Sequence, residues 1–490
     1  MTRQHTVIDG VDVYWEQGPA PMIATLTFGC GVRDESFRTL GVTHLIEHLA
    51  MSTLPRLHHE HNATVGIEVT RFFATGRPAQ LVDFIAAVCE ALSDLPLSRI
   101  EKEAGVLTAE GSAVCHPTAG VLLARRYGIA GPGLAPWDGP GYDQLPAEAV
   151  TTHAAKFFTR GNAVLTLTGP PPEGLRLPLP DGPRMVHEPT PSLLTDGPQW
   201  LAEEVPCIGM SLRGPSVSPV DALGLQVLSH RLTEVARKEK GLSYGIDGDR
   251  ANADPSTTDR FVWVDAREGQ EAEVASILWN TARELATSGP TQEELDHELA
   301  GFREMVEDPR FVDGDLDEFA RSVLLGEPYR SPAEWLEAIA AATPAHVAAA
   351  LAESLRTALI VVPSEVRLEL SDLDGKPVPL GGCATPEWQP QGRVFKPSLL
   401  ARAMSAAARG ARLHLTADGV ALIDGGDRHF VRFADVVGVL AQNGSRTVFG
   451  RSGCLVPVDS DLFAGIEPVI AAVDAHVDPG LVFPPSAFAS

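Results

Sequence analysis

The sequence has little positive charge, since its 39 Lys and Arg residues stand against 64 Asp and Glu residues and give a net charge of −25. A phosphate backbone would be repelled by most of such a surface, which argues against a nucleic-acid partner. Long apolar runs are also missing, because no stretch approaches the roughly 18 residues that cross a bilayer. We therefore expect neither a nucleic-acid-binding nor a membrane-spanning protein.

Cysteines are few, and none stands in the CxxC spacing that is typical of metal ribbons and redox motifs. The opening residues, MTRQHTVIDGVDVYW, carry no apolar run after a basic start, so a secretory signal peptide is not expected. We interpret the cysteines as reduced and mostly buried small hydrophobic residues of a cytoplasmic protein. They are Cys30, Cys89, Cys115, Cys207, Cys383 and Cys454.

The most informative segment is GVTHLIEHLAM, in which His44, Glu47 and His48 form an HxxEH array. On a helix these positions share one face, so both imidazoles can reach one zinc ion while the carboxylate stands beside it. Catalytic zinc keeps three protein ligands and leaves its fourth position to water. Glu47 would be the base that takes a proton from that water. The alternative is a chance array on one helix face.

A third zinc ligand is available in the stretch LSRIEKEAGVLTAEGSAV, residues 97–114, which predicts a helix. Glu103 and Glu110 lie seven residues apart, two turns along the same face. We expect Glu110 to be the third ligand and Glu103 to be a carboxylate that steadies the site from behind the ligands. Without the histidines, both glutamates would be interpreted as solvated.

These residues resemble the pitrilysin, insulin-degrading enzyme and mitochondrial processing peptidase family of zinc metallopeptidases. The stretch MIATLTFGCGVRDE before Gly41 is similar to the strand and glycine lead-in of that family's metal helix. Asn62 and Ala63, followed by VTRFFATGRPAQL, resemble its edge strand, which takes substrate backbone into the sheet. The spacing of Glu103 and Glu110 also agrees with the family's paired glutamates.

A second match lies in RKEKGLSYG, where Arg237 and Tyr244 stand seven residues apart as in the family's C-terminal signature. The resemblance implies that both side chains bind the substrate carbonyl and stabilise the oxyanion that forms during cleavage. Read without the resemblance, the segment predicts a helix end with Gly241 after it, followed by a strand. The two interpretations are compatible.

The interval from His48 to Glu110 is shorter than the family usually shows. In place of the rest of the metal helix stands PRLHHEHNA, which is rich in histidine. We expect this shortening to widen the substrate cleft or remove one of its walls. His58, His59 and His61 could form a second metal site, although a solvated loop explains them equally well.

The length of 490 residues predicts three domains. The fold class expected is α+β, with two similar metallopeptidase-type α/β sandwich domains and a small β-rich domain that resembles a pleckstrin-homology barrel. Runs rich in proline and glycine give the boundaries. They are 1–168 for the domain with the zinc site, 169–198 for a linker, 199–365 for the domain with Arg237 and Tyr244, 366–397 for a second linker, and 398–490 for the β-rich domain.

The last domain is predicted from short alternating runs joined by hairpin turns at Asp418-Gly419, Asp424-Gly425 and Asn443-Gly444. One helical pattern, DLFAGIEPVIAAVDAHV, closes it. No basic cluster of the kind that recognises phosphoinositides is present, so we expect an interaction or dimer-supporting module rather than a lipid-binding one.

The resemblance implies a zinc-dependent endopeptidase with one Zn²⁺ per subunit, acting on short or unfolded peptides, for example in trimming a leader from a precursor. Because a working chamber of the family needs four such domains and this chain has two, we expect a homodimer. In it the zinc site of one subunit would face Arg237 and Tyr244 of the other. The alternatives are the catalytic half of a heterodimer with a related chain, and a scaffold of this fold without activity.

Overall fold

The computed structural model of the chain describes residues 3–111, 114–194, 197–383, 385, 387–405, 407–442 and 444–487. Within them lie two mixed α/β units of similar build, followed by a smaller β-rich unit with a helix near its end. The α+β fold class that the sequence predicts is confirmed.

The first unit is a six-stranded sheet with helices packed on it. Its strands are β1 (Gln4–Ile8), β2 (Val11–Trp15), β3 (Met22–Phe28), β4 (Glu60–Val65), β5 (Thr70–Gly76) and β6 (Ala163–Leu167). Its helices are α1 (Val42–Met51), α2 (Pro78–Ser93), α3 (Ile100–Glu110), α4 (Pro117–Tyr127) and α5 (Ala147–Phe157). The strand order is β1-β2-β6-β3-β5-β4, with β2 and β6 parallel and the other neighbours antiparallel.

The second unit is a five-stranded sheet with six helices. Its strands are β7 (Gln199–Glu203), β8 (Ile208–Pro215), β9 (Ile246–Asp254), β10 (Thr257–Val264) and β11 (Leu359–Pro363). Its helices are α6 (Pro219–Leu232), α7 (Glu271–Ser288), α8 (Gln292–Glu307), α9 (Phe311–Leu325), α10 (Pro332–Ala340) and α11 (Pro344–Leu355). A π-helical stretch, Thr233–Glu239, continues α6.

The two units share one topology. The second sheet has the order β7-β11-β8-β10-β9, in which only β7 and β11 are parallel. Apart from β1, the first sheet repeats this pattern, because in both sheets the strands, counted along the chain, are arranged as first, fifth, second, fourth and third. The chain therefore contains a structural duplication.

The third unit is built from two four-stranded sheets. Its strands are β12 (Arg393–Phe395), β13 (Arg412–Leu415), β14 (Gly419–Asp424), β15 (Asp427–Arg432), β16 (Val436–Gln442), β17 (Ser445–Gly450), β18 (Leu455–Val458) and β19 (Val482–Phe483). Its helices are α12 (Leu399–Met404) and α13 (Glu467–His476). Hairpins turn at the predicted Asp418-Gly419 and Asp424-Gly425. Asn443 lies outside the described residues.

Each of the first two units packs one helix on the sheet of the other. From the first unit, α4 packs its apolar face on the second sheet, where Leu122 and Leu123 join one buried cluster with Phe261 and Val361. From the second unit, α9 packs on the first sheet, where Leu324 meets Val164 of β6. Strand β6 is therefore buried on both faces, and all five of its residues are shielded from solvent.

Each of these two helices, α4 and α9, also carries a buried arginine. Arg126 on α4 pairs with Asp259 of β10 at 2.7 Å, and its side chain is 1% exposed. Arg321 on α9 pairs with Glu68 of the first unit at 2.6 Å. Buried charges are stable only when they are paired, so these contacts fix how the two units sit together.

The third unit packs on the first through aromatic rings. Phe37, shortly before α1, lies with its ring centroid 4.8 Å from that of Phe449 in β17. Asp143 of the first unit accepts hydrogen bonds from the Ser486 hydroxyl at 2.6 Å and the Ala487 amide at 2.7 Å. The third unit is thus placed next to the loops around α1 and α3.

Among the described residues, no single helix is long and apolar enough to cross a membrane. One helix pair, α10 and α11, would reach that length and composition together, but it is bent by 105°.

Replacing Arg126 by alanine should destabilise the protein by about 3–5 kcal/mol, because Asp259 would be left as an uncompensated buried charge. Urea titrations of both proteins, followed by fluorescence and circular dichroism, would measure this loss. The control is Arg310→Ala, which removes a guanidinium with 83% of its side chain exposed and should leave the unfolding midpoint nearly unchanged. Equal midpoints for the two variants would contradict the role of the pair.

Candidate metal centre

The HxxEH array lies on α1, which begins at a glycine with a left-handed backbone. Gly41 has φ of +87°, a conformation that favours glycine, and it is the N-cap of the helix. The carboxylate of Glu35 accepts hydrogen bonds from the amides of Gly41 at 2.7 Å and Thr43 at 2.9 Å. A carboxylate at this position satisfies two free amides at the positive end of the helix. Glu35 thus anchors the start of the metal helix, and sequence reasoning missed it.

The rest of α1 is packed on nearly all sides. Leu45, Ile46, Leu49 and Ala50 are fully buried in the core of the first unit. Apart from Thr43, which is buried against His153, the polar side chains of the helix are both histidines and Glu47, and they share one face. Close packing fixes the rotamers of neighbouring side chains, so the array is held rigidly.

The three side chains of the array converge. Nε2 of His44 lies 3.7 Å and Nε2 of His48 lies 3.8 Å from Oε2 of Glu47. The two imidazole rings stand nearly perpendicular, with centroids 5.0 Å apart. One ligand atom from each of these residues lies within 4.8 Å of the others, a spacing that could hold one metal ion.

Glu110 reaches the same place from the last turn of α3. Its Oε2 lies 3.2 Å from Nε2 of His48, and its side chain is 54% exposed. In tetrahedral zinc sites, ligand atoms at about 2.0–2.2 Å from the metal are separated by roughly 3.3–3.5 Å, so this pair has nearly the spacing of two zinc ligands. The structure thus places Glu110 beside His48, next to the cluster of His44, Glu47 and His48.

Two further side chains stand behind the histidines. Oε2 of Glu103 lies 3.9 Å from Nδ1 of His48, and Arg99 holds Glu103 through a 2.9 Å ion pair. The hydroxyl of Tyr142 lies 3.5 Å from Nδ1 of His44. Groups in these positions orient a metal-ligating imidazole and select its tautomer. No sequence spacing relates Tyr142 to the HxxEH array, so sequence reasoning missed it.

Burial sets the charge state of the array in the metal-free chain. It lowers the pKa of His44 to about 4, and the neighbouring His48 adds to this effect. It raises the pKa of Glu47 to about 8, with a smaller contribution from the negative charge of Glu110. A neutral imidazole is the form that binds zinc. A carboxylate with a raised pKa is a stronger base than an exposed one. The donor set therefore fits zinc.

The predicted substrate strand is β4, the last strand of the first sheet. Asn62 and Ala63 lie opposite Phe73 and Phe72 of β5. In the described part of the sheet no strand pairs with the other side of β4. Its free backbone groups are therefore available to an added strand.

Arg237 and Tyr244 meet each other on the surface of the second unit. The Arg237 guanidinium lies 5.1 Å from the centroid of the Tyr244 ring, and Tyr244 is 80% exposed. Asp265 holds the loop by accepting hydrogen bonds from the Ser243 hydroxyl and the amides of Tyr244 and Gly245. Within the described residues, neither member of the pair forms a hydrogen bond or ion pair with the first unit.

The histidine-rich loop after α1 makes local contacts. Nδ1 of His61 lies 2.9 Å from the carbonyl oxygen of His59, and the two rings are 5.8 Å apart. Among the described residues, His58, His59 and His61 do not bring three ligand atoms as close together as the HxxEH array does. The predicted helix over residues 97–114 is also shorter in the structure, because α3 ends at Glu110 and Gly111 follows with φ of +92°.

A cavity of about 490 Å³ lies next to Tyr142 and the end of α3. One of its walls contains Tyr142 together with Leu107 and Thr108 of α3. The opposite wall belongs to the third unit and is formed by residues 440–442 and 484–486.

The fold is that of M16-type peptidases. A protease from Helicobacter pylori superposes with a TM-score of 0.58 at 14% identity, covering 74% of this chain and 100% of that one. A peptidase M16 inactive domain from Pseudomonas fluorescens gives 0.58 at 16% identity, covering 75% and 99%. The periplasmic protease PqqL from Escherichia coli gives 0.57 at 15% identity, covering 88% of this chain and 55% of that one. No protein-family model and no curated protein matches the sequence.

The raised pKa of Glu47 predicts a pH-dependent effect in metal-free protein. Its carboxyl ionises near its usual 4.5 in the unfolded chain and near 8 in the folded chain, so the folded state loses stability as pH rises between these values. Glu47→Gln removes this loss. Its stability relative to the wild type should therefore rise by roughly 2–4 kcal/mol from about pH 5 to about pH 8.

Urea titrations in the presence of a chelator would measure this difference. Met51→Leu, a change on the same helix that adds or removes no titrating group, should alter stability equally at each pH. A Glu47→Gln difference that stays constant with pH would show that the carboxyl is not buried as described.

Proposed function

We propose that the protein is a zinc-dependent endopeptidase that hydrolyses short or unfolded peptides. The observation that carries the proposal is the cluster of His44, Glu47 and His48 on α1, with Glu110 of the separate helix α3 beside His48. His44, His48 and Glu110 would hold one zinc ion per subunit. Zinc in such a site supplies Lewis-acid chemistry and lowers the pKa of a water molecule.

Side chains of the protein would transfer the proton and orient the metal ligands. Glu47 accepts a proton from the attacking water and delivers it to the leaving amine. Tyr142 would hold His44 in the tautomer that presents Nε2, and the negative charge of Glu103, 3.9 Å away, would favour an N–H at Nδ1 of His48. Because α1 is closely packed, Glu47 is already positioned to reach the attacking water, and little conformational freedom is lost in the reaction.

The free edge of β4 supports an extended peptide as substrate. A peptide that adds to this edge is held through its backbone, which gives affinity with little dependence on sequence. A folded protein does not offer such a strand, so short or unfolded substrates are favoured. Leader trimming of a precursor peptide is one reaction of this class.

The position of Arg237 and Tyr244 supports a homodimer with composite sites. Both side chains are exposed on the second unit, and their described contacts remain in that unit. In a two-fold dimer the pair of one subunit can face the zinc site of the other, which would supply donors for the developing oxyanion. The catalytic half of a heterodimer is the alternative assembly.

A scaffold without catalysis is the second candidate function. It is favoured by the similarity to an inactive M16 domain and to a chain of complex III2 from Candida albicans, which has a TM-score of 0.57 at 14% identity. Against it stand the close spacing of the HxxEH side chains and the carboxylate of Glu110 beside them.

A pair of variants separates metal binding from chemistry. Glu47→Gln should keep zinc but lower peptide cleavage by roughly 10²–10⁴-fold, because the general base is lost. His48→Ala should lose both zinc and cleavage, because a ligand is lost. Metal analysis of the purified proteins and digestion of a peptide library would measure both. Full cleavage by Glu47→Gln would rule out the proposed mechanism.

Mixing two inactive variants tests the composite site. In a heterodimer of Glu47→Gln and Tyr244→Phe subunits, one site carries both changes and the other carries neither. After subunit exchange at equal amounts, about one quarter of wild-type activity should return. No recovery despite proven exchange would place the base and the tyrosine in the same subunit, and a Tyr244→Phe protein that is active on its own would remove Tyr244 from catalysis. Mixing Glu47→Gln with His48→Ala is the control and should restore nothing.

A further inference from the structure

A second group of metal-ligating side chains lies in the third unit, away from the HxxEH array. His429 is on β15, Cys454 lies in the turn between β17 and β18, and Cys383 belongs to the connector that leads from the second unit to the third. The structure thus collects three ligands, two thiols and an imidazole, that suit soft or borderline metals from three separate segments.

The distances in this group fit a tetrahedral metal. Nδ1 of His429 lies 3.4 Å from Sγ of Cys383 and 3.5 Å from Sγ of Cys454, and all three atoms lie within 4.8 Å of one another. Zinc bonds of about 2.3 Å to sulfur and about 2.1 Å to nitrogen place these atoms about 3.6 Å apart at a tetrahedral angle. Both measured separations are within about 0.2 Å of that value.

The three segments are held before any metal binds. The Thr385 amide donates to the carbonyl oxygen of Arg428 at 2.6 Å, and the Phe430 amide donates to the Thr385 hydroxyl at 3.0 Å. These bonds attach the connector to β15 on both sides of His429. The ring of Trp388, further along the connector, stacks on Phe430 at 5.4 Å.

The turn that carries the other cysteine is closed as well. The Gly450 amide donates to the carbonyl oxygen of Cys454 at 2.8 Å, and Cys454 is fully buried. Cys383 and His429 are half-buried. A preformed, largely shielded group of ligands loses little conformational freedom on binding, which favours a structural metal.

We propose that Cys383, His429 and Cys454 form a zinc site that fastens the connector to the third unit. Binding converts two thiols to thiolates and releases their protons, so no oxidant or reductant takes part. The fourth position is left to water or to a ligand from outside the group. Thiolate and imidazole donors select zinc over magnesium or calcium.

Metal counting on the full chain tests this site independently of peptidase activity. Purified protein should hold about two zinc ions, and His44→Ala/His48→Ala protein should hold about one. Cys383→Ser should also hold about one while cleaving peptides as the wild type does. Cys207→Ser, which changes a cysteine outside the group, should keep both ions.

Cobalt substitution identifies the ligands and guards against loss of folding in a cysteine variant. Cobalt-loaded wild type and His44→Ala/His48→Ala should both show a thiolate-to-cobalt charge-transfer band in the near ultraviolet, and Cys383→Ser should show a weakened one. Absence of the band from the wild type would overturn the proposal. So would an intact mass lower by two hydrogens that returns on reduction, since this would mark a Cys383–Cys454 disulfide.

Discussion

The architecture depends on two buried arginines that tie the first and second units to each other. Arg126 lies on α4 of the first unit and meets Asp259 in the second, while Arg321 lies on α9 of the second unit and meets Glu68 in the first. Separating the units would break both ion pairs, and although Arg321 would keep Glu318 and Glu327 of its own unit, Arg126 and Asp259 would lose each other. Glu68 also accepts a hydrogen bond from the amide of Asn252 in β9, so the loop after the substrate-strand candidate β4 is fixed to the edge of the second sheet. The relative position of the two halves is therefore set by specific contacts as well as by apolar packing.

The duplicated topology relates the two candidate substrate-contacting groups. In the first unit, the HxxEH helix lies between the second and third strands of the repeated pattern, β3 and β4. In the second unit, the equivalent interval between β8 and β9 holds α6, its π-helical continuation with Arg237, and the loop with Tyr244. Each repeat thus offers polar side chains at the same place beside an edge strand. Two copies of the chain related by a two-fold axis could align the metal array of one with the Arg237 and Tyr244 pair of the other, which is the geometry that the proposed composite site needs.

Local patterns in the sequence predicted helices and strands, but they did not predict contacts between residues that are far apart in the sequence. The HxxEH spacing predicted a helix and a shared face because both follow from 3.6 residues per turn, and the structure contains that helix. The predicted helix over residues 97–114 was too long, since Gly111 in a left-handed conformation ends it. Tyr142, Glu35 and the group of Cys383, His429 and Cys454 have no fixed spacing from the residues that they contact. Two similar domains were predicted, but their repeat is not visible in the residues themselves, because a shared strand order can persist when side chains no longer match.

The third unit bears on the shortened segment after α1. The sequence predicted a widened cleft or a missing wall after α1, because the interval from His48 to Glu110 is short, and α1 ends at Met51. Residues 440–442 and 484–486 of the third unit line the cavity beside α3 and Tyr142, so this unit provides a wall near the candidate metal centre. The contact between Phe37 and Phe449 holds that wall from a position just before α1, and the bonds to Asp143 hold its far end. A zinc ion bound by Cys383, His429 and Cys454 would stiffen the same unit, because it would fix the connector that joins the third unit to the second. On this account the β-rich unit lines a cavity that adjoins Tyr142 and the end of α3, and the specificity of the proposed peptidase would depend on this surface as well as on the two duplicated units.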